Sequence, residues 1–202
     1  MSRRWLALLL PALLTGCGYN KIQTLDEQAN AAQGQIEVQL QRRADLIPNL
    51  VETVKGFAKQ ELAVFTEVAR ARGGLINAVQ SKDPEQMAAA NATMTGALGR
   101  LLAVSEAYPQ LKSDQGFLKL QDELAGTENR IAVSRTDYNG AVQQYNTLIK
   151  TFPTVLTAKV TGAKEKKYYQ VANATNREAP SVNFGDPAAP STPPASTAPA
   201  KP

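Results

Sequence analysis

The sequence predicts an all-α protein: an antiparallel helical bundle of about four helices, with a long and kinked first helix. Three observations predict this class. Apolar residues recur with three-four spacing over long stretches, prolines stand at the ends of several of these stretches, and no convincing strand-like alternation is present. Since an amphipathic helix cannot bury its apolar stripe alone, helices joined by short connections favour an up-and-down bundle.

The first predicted helix runs from residue 20 to about residue 72. At about 1.5 Å per residue it would approach 80 Å in length. Pro48 lies in its middle, where proline removes a backbone hydrogen bond and crowds the preceding turn, so we expect a kink there. Two shorter helices meeting at Pro48 are the alternative. The predicted stripe comprises Ile22, Leu25, Ala29, Ala32, Ile36, Leu40, Ala44, Ile47, Val51, Val54, Ala58, Phe65 and Val68.

Three further helices are predicted from breaks in the sequence. Gly73-Gly74 are expected to loosen or end the first helix, and residues 81–85 are a break followed by a new start. The second helix then ends at Pro109. The third is expected over residues 113–152, and a shorter fourth over 154–172, broken by Gly162.

The start of the chain predicts an exported lipoprotein. Residues 1–16 combine two arginines, an apolar run and small residues, which are the parts of a signal peptide. Leu14-Thr15-Gly16-Cys17 match a lipobox, in which the thiol of Cys17 carries the lipid. An uncleaved membrane anchor is disfavoured, because about ten apolar residues interrupted by Pro11 fall short of the roughly 20 needed. Residues 17–19 are therefore predicted to be the lipid anchor and tether.

The remaining boundaries follow from composition. Residues 20–184 form the predicted folded domain, and residues 185–202 are rich in proline, alanine, serine and threonine, which predicts a disordered tail. Gly18 after the cysteine resembles the signal for transfer to the outer membrane, facing the periplasm, if the organism is Gram-negative. Losing the two signal arginines lowers the formal charge from +4 to +2, so no nucleic-acid partner is expected.

Six blocks of the chain are informative together. They are 24–28 (TLDEQ), 41–56 (QRRADLIPNLVETVKG), 106–112 (EAYPQLK), 127–132 (TENRIA), 135–139 (RTDYN) and 145–153. In this order they resemble the LemA family. The resemblance covers residues 19 to 184 and implies a mostly helical, bundle-like domain on a membrane tether, without an established biochemical activity. Members usually carry an N-terminal transmembrane helix, so the lipobox is a departure from the family pattern, and they often have tyrosine and histidine where this chain has Phe57 and Gln60.

The residue types argue against catalysis. The chain has no histidine and a single cysteine, which the lipid would occupy, so the commonest metal ligands, general base and thiol nucleophile are missing. No phosphate-binding glycine loop or glycine-flanked nucleophilic serine is present. Neighbouring carboxylates such as Asp122 and Glu123 point apart on a helix. We therefore predict no enzyme, no catalytic residue, no metal and no cofactor.

Polar residues on the helix stripes form the candidate site. One interpretation is a partly buried network that fixes helix register, and the other is an exposed patch that binds a partner. We favour the network, with the specific hypothesis that Arg42 or Arg43 pairs with Glu128 across the first and third helices. The candidate residues are Arg42, Arg43, Asp45 and Asn49 around the Pro48 kink, and Glu128, Arg135, Asn139 and Asn146 on the third helix.

The leading functional interpretation is a noncatalytic envelope lipoprotein that acts as a scaffold, adaptor or modulator. Its expected partners are the membrane, through Cys17, and an envelope protein or cell-wall polymer. A ligand-binding protein or hydrolase that uses a polar pocket in the bundle is the main alternative. A third possibility is a mechanical spacer, in which residues 185–202 would be essential.

Overall fold

The computed structural model describes the backbone of residues 3–170 and the side chains of residues 18–170. The predicted tail, 185–202, lies outside the described residues, as does the side chain of Cys17. Within residues 3–170 the chain forms helices, turns and one extended segment, with no strand, which confirms the all-α prediction. The helices are α1 (Arg3–Phe57), α2 (Leu62–Ser81), α3 (Pro84–Ala107), α4 (Pro109–Lys112), α5 (Gln115–Lys150) and α6 (Thr154–Thr161).

The first helix differs from the prediction at both ends. It begins at Arg3, within the predicted signal peptide, and it ends at Phe57 instead of continuing to residue 72. The chain turns at residues 58–61, and α2 then runs back along α1. The apolar stripe continues through this turn, since Ala58 and Phe65 are both buried. Periodicity alone therefore could not reveal the turn.

Pro48 lies inside α1, so the alternative of two helices meeting at this residue is wrong. Proline has no N–H group, which leaves the carbonyl of Ala44 without its helical partner. Arg72 of α2 supplies the missing donor, because its Nε donates to the Ala44 carbonyl at 2.8 Å. This bond fixes where α2 crosses α1. The kink angle itself stays a prediction.

The later helix ends follow local capping rules. Asp83 caps α3 by accepting from the N–H groups of Glu85 and Gln86, and Asp114 caps α5 by accepting from the N–H of Phe117. At the end of α6, Gly162 adopts a left-handed conformation with φ 71°. The predicted helix over 154–172 therefore stops early. The predicted break at Gly73-Gly74 is also wrong, because both glycines lie within α2.

The helices pack as two antiparallel pairs. Ile22 of α1 packs with Tyr145 and Ile149 of α5, whereas Arg43, farther along α1, meets Glu128, which is earlier on α5. Helix α2 packs on α3, with Glu67 bridged to Arg100. Residues 3–170 form six helices, against about four predicted, because of the turn at 58–61 and the single-turn α4. In the stretch that the structure describes, no helix has the length and apolarity needed to cross a bilayer.

Candidate functional site

A buried arginine links three helices at the middle of the molecule. Arg43 is 4% exposed and projects from α1. Its Nη1 atom donates to Oδ1 of Asn91 on α3 at 2.6 Å and to the carboxylate of Glu128 on α5. Its Nη2 atom donates to Oγ1 of Thr95 at 3.1 Å. We call Arg43, Asn91, Thr95 and Glu128 the arginine network.

The electrostatics of this network are asymmetric. Burial lowers the pKa of the Arg43 guanidinium, and the charge of Glu128 opposes that effect. The Glu128 side chain is 45% exposed, so water reaches its carboxylate while the guanidinium is enclosed. Nε of Arg43 is buried without a hydrogen-bond partner among the described residues. Leaving such a donor unpaired costs about 1–3 kcal/mol, so the network lowers stability locally while specifying which helix faces meet.

Residues 164–170, which we call the docked segment, lie extended along α5. Asn146 donates from Nδ2 to the carbonyl of Lys166 at 2.9 Å and accepts from the Lys166 N–H at 2.9 Å. Asn139 repeats the arrangement on Tyr169, donating at 3.2 Å and accepting at 2.9 Å. Each asparagine amide therefore pairs with the backbone of one residue as a neighbouring β-strand would.

The spacing of the two asparagines matches the spacing of their targets. Asn139 and Asn146 are seven residues apart on a helix, or about 10.5 Å at 1.5 Å per residue. Lys166 and Tyr169 are three residues apart in an extended chain, or about 10 Å at 3.3 Å per residue. The two asparagines, which are seven residues apart in the sequence, thus hold an extended segment of the same chain.

Two tyrosines secure the same segment. Tyr138 donates from its hydroxyl to the carbonyl of Lys167 at 2.7 Å. Tyr169 is 3% exposed within the main apolar cluster, with its hydroxyl 3.5 Å from the carbonyl of Met87. Burial raises the pKa of each tyrosine to about 12. Both hydroxyls therefore stay protonated at neutral pH and serve as donors.

The lysines of the docked segment reach other helices. Nζ of Lys166 lies 3.1 Å from the carboxylate of Asp26 on α1. Nζ of Lys167 lies 2.9 Å from Asp83 and 3.0 Å from Glu85 at the start of α3. The hydrogen bond from Lys167 lowers the pKa of Asp83, and the same carboxylates raise the pKa of Lys167. The segment thus connects α1, α3 and α5.

The structure divides the predicted site residues into two groups. It brings Arg43 onto Glu128, and it places Asn139 and Asn146 against the docked segment. The remaining residues are exposed on α1 and α5, and the charge of one of them, Arg135, acts on Tyr169 of the docked segment. Those exposed residues are Arg42, Asp45, Asn49, Arg135 and Pro48, of which Asp45 accepts from Gln41 at 2.9 Å.

Sequence reasoning missed Asn91, Thr95 and the docked segment. Asn91 had a usable signal, because it lies four residues after Met87 and three before Met94, on the apolar face of α3. An amide at that position indicates a buried polar partner. The docked segment had no comparable signal, since its partners are 20 or more residues distant.

A surface cavity of about 440 Å³ lies beside this region, between α1, α5 and the start of the docked segment. Asp26, Tyr145, Glu165 and Lys166 contribute its polar lining. Three of its charged groups already pair, Lys166 with Asp26, and Glu165 with Lys150 at 2.8 Å, and Lys164 is a fourth charged group in the lining. Across residues 18–170 no group of three or more cysteine, aspartate or glutamate residues could hold a metal ion.

Comparison with known proteins identifies relatives of this chain. The LemA family model matches residues 32–184. Magnetosome proteins MamQ 1 and MamQ 2 of Paramagnetospirillum magneticum are each 31% identical to this chain over 175 residues. Magnetosome protein MamQ of Magnetospirillum gryphiswaldense is 29% identical over 174 residues. Each alignment covers 75% of this chain and 64% of the relative's own length.

Proposed function

Because the chain belongs to the LemA family, we propose that it is a membrane-associated, noncatalytic protein that acts through its surfaces, as a scaffold, adaptor or modulator of envelope components. One observation supports this most strongly. The buried polar side chains of the candidate site are used in contacts within the chain, so they hold the helices and the docked segment in place. The antiparallel packing of α1 on α5 and α2 on α3 supports a bundle as the scaffold.

The proposed membrane attachment is through Cys17. The lipobox is followed at once by the body of α1, which is helical without interruption from Arg3 to Phe57. Cleavage before Cys17 would therefore make the acylated residue the first residue of the helix, with no flexible linker. Three acyl chains would hold the domain on the bilayer essentially permanently. We propose the outer membrane, facing the periplasm, if the organism is Gram-negative.

The relatives support the family assignment of this chain but do not indicate its partner. Their names connect them with magnetosomes, and this chain spans 64% of their length. What the proteins share is the LemA domain. The proposal for this chain therefore rests on that domain, and its partners are envelope proteins or wall polymers.

Photo-crosslinking in intact cells tests the scaffold role. A photoreactive residue would be placed at exposed Arg42 or Arg135, and, as a matched control, at buried Leu75. We expect a discrete crosslinked envelope component from the exposed positions and none from the buried one. Chains with and without residues 185–202 would be compared, because only the spacer hypothesis requires the tail. Absence of any specific product from either exposed position, with or without the tail, would contradict the scaffold proposal.

The cavity beside the docked segment favours a second candidate function, binding of a small charged ligand. Its Asp26–Lys166 pair is only partly exposed and could exchange partners with a ligand. Screening charged metabolites for an increase in melting temperature tests this function. A ligand effect that survives Lys166→Met would rule out binding at this cavity.

A further inference from the structure

Helix α6 buries small residues and exposes large apolar ones. Thr154 and Ala158 are buried against the protein, whereas Leu156 is 58% exposed and Val160 is 88% exposed. A surface helix ordinarily buries its large apolar residues and exposes small or polar ones. The reversal means that the apolar face of α6 is unpartnered within the described part of the chain.

Phe152, immediately before α6, enlarges this surface. It is 76% exposed and lies four residues before Leu156, which lies four before Val160. We call Phe152, Leu156 and Val160 the apolar surface. Single exposed apolar residues are common in soluble proteins and need no explanation, whereas large apolar residues that cluster on one exposed face are typical of interaction sites. Within residues 18–170 the other large exposed apolar side chains are Tyr19, Val38, Phe57, Leu62, Leu118 and Val133.

The apolar surface lies beside the proposed lipid anchor. A Cβ atom on Gly18 would be 3.1 Å from Cγ2 of Thr154 and 3.4 Å from Oγ1 of Thr157. The buried side of α6 is therefore packed directly on the residue that follows Cys17. The outer side of the same helix carries Leu156 and Val160.

Charge complements this location. From Tyr138 to Lys164 the chain contains three lysines and no acidic residue, and one of the three, Lys150, pairs with Glu165. Lys159 and Lys164, on and just after α6, are exposed. Lysines near a bilayer surface are attracted to anionic lipid headgroups. Tyr19, next to Gly18, is 45% exposed, and tyrosine is enriched at the level of lipid headgroups.

We infer that the apolar surface is a bilayer-contacting site, which seats α6 among the headgroups of anionic phospholipids beside the lipid anchor. This inference rests on the anchor at Cys17 proposed above. The acyl chains hold the protein at the membrane, and α6 fixes how the domain meets it. Two attachments close together restrict the orientation of the domain far more than the acyl chains alone.

Tryptophan reporters in the full-length lipoprotein test the inference. Trp5 is the only native tryptophan, and it lies in the predicted signal peptide, so the mature lipoprotein that begins at Cys17 has no tryptophan of its own. One variant adds Leu156→Trp, and the matched control adds Leu118→Trp on α5. Leu118 is 27 residues from Tyr145, or about 40 Å from the α6 end of that helix. Both variants are reconstituted into vesicles of phosphatidylethanolamine and phosphatidylglycerol that contain brominated lipid.

Flotation and quenching are then read separately. We expect both proteins to float with the vesicles, with fluorescence quenched several-fold more for Leu156→Trp than for Leu118→Trp. Adding Phe152→Ser and Val160→Ser to the Leu156→Trp variant should reduce the quenching, whereas adding Leu62→Ser, far from α6 on α2, should not.

Three results would overturn the inference in distinguishable ways. Proteins that float but show equal quenching at both reporters would remove the bilayer contact and leave the anchor in place. A dimer that the Phe152→Ser and Val160→Ser changes dissociate, without reporter quenching, would assign the surface to a second copy of the chain. Proteins that fail to float would contradict the anchor itself, and the inference with it.

Discussion

The middle of the molecule and its α6 end depart from the usual distribution of residues in opposite directions. In the middle, Arg43 is 4% exposed and is bonded to Asn91, Thr95 and Glu128. At the α6 end, Val160 is 88% exposed. Buried charge and clustered exposed apolar surface are both unusual in a folded domain.

The two regions differ in the kind of contact that they specify. The first specifies contacts within the chain, and the second specifies a contact outside it. A buried charge has to find its partners within the chain, so we expect the arginine network to fix how α1, α3 and α5 register. The exposed apolar surface has no partner within residues 18–170, so it is available to the membrane. Each prediction below perturbs one side of this comparison. They begin with the two largest expected effects, one at neutral pH and one at alkaline pH, and end with the smallest.

At neutral pH, removing the carboxylate of the arginine network should cause the largest decrease in the free energy of unfolding. Glu128→Ala leaves the guanidinium of Arg43 buried with neutral partners only. Breaking a buried ion pair costs about 3–5 kcal/mol. Because Glu128 is partly exposed, we expect Glu128→Ala to lose about 3 kcal/mol of stability. Urea unfolding measures the change. Glu52→Ala, in an exposed pair with Lys55, is the matched control and should cost less than about 1 kcal/mol. Equal losses in the two variants would contradict a structural role for the network.

Alkaline pH should loosen the middle through Tyr138 and Tyr169. The pKa of each is raised from 10.0 to about 12 by burial. Between these values the unfolded tyrosine loses its proton and the folded one keeps it, so the free energy of unfolding falls as pH rises. At about 1.4 kcal/mol per pKa unit, each tyrosine contributes up to about 3 kcal/mol to this fall.

Unfolding of the wild type and of the Tyr138→Phe, Tyr169→Phe double variant at several pH values measures this effect. The wild type should lose more stability than the variant between about pH 10 and pH 12. Parallel profiles for the two proteins would show that neither hydroxyl is enclosed in the folded state.

Release of the docked segment should have a smaller and more local effect. Asn146→Ala removes both hydrogen bonds to the backbone of Lys166, at about 1–3 kcal/mol. Hydrogen exchange should accelerate at the amides of Lys166 and Tyr169, while α2 amides change little. Asn129→Ala, exposed on the same helix, is the control. Unchanged exchange at Lys166 in the Asn146→Ala variant would show that the asparagines do not hold the segment.

The bond between α2 and α1 gives the smallest and most specific prediction. Arg72→Met leaves the Ala44 carbonyl without a donor, at about 1 kcal/mol, because Pro48 cannot supply one. In a Pro48→Ala background the helical N–H is restored, so Arg72→Met should cost less. A double-mutant cycle measures this coupling. Independent effects of the two substitutions would mean that Arg72 does not compensate for the proline.

How far the sequence predicts this molecule depends on whether a feature is local. Asp83, Asp114 and Gly162 cap helices through contacts within a few residues, so these helix ends were predictable. The turn at residues 58–61 was not, because the apolar stripe crosses it unchanged.

The candidate site shows the same division. The spacing of Asn139 and Asn146 and a charge opposite Glu128 could be predicted from helix geometry. The targets of the asparagines could not, since they lie in an extended segment that only the tertiary fold brings back to α5. The exposed apolar face of α6 was equally hidden. Its pattern predicts a helix but does not say which face packs inward.

We propose that the protein is tethered to a membrane through Cys17 and acts through its surfaces. The mass of its mature N-terminal peptide tests this tether most directly. The peptide would be isolated from membranes of cells that produce the full chain, with Cys17→Ser as the control. We expect the wild-type peptide to begin at Cys17 and to carry the mass of a diacylglycerol and a third acyl chain, and the control to keep its signal peptide. A wild-type peptide with an unmodified Cys17, or with residues 1–16 retained, would contradict the lipid anchor.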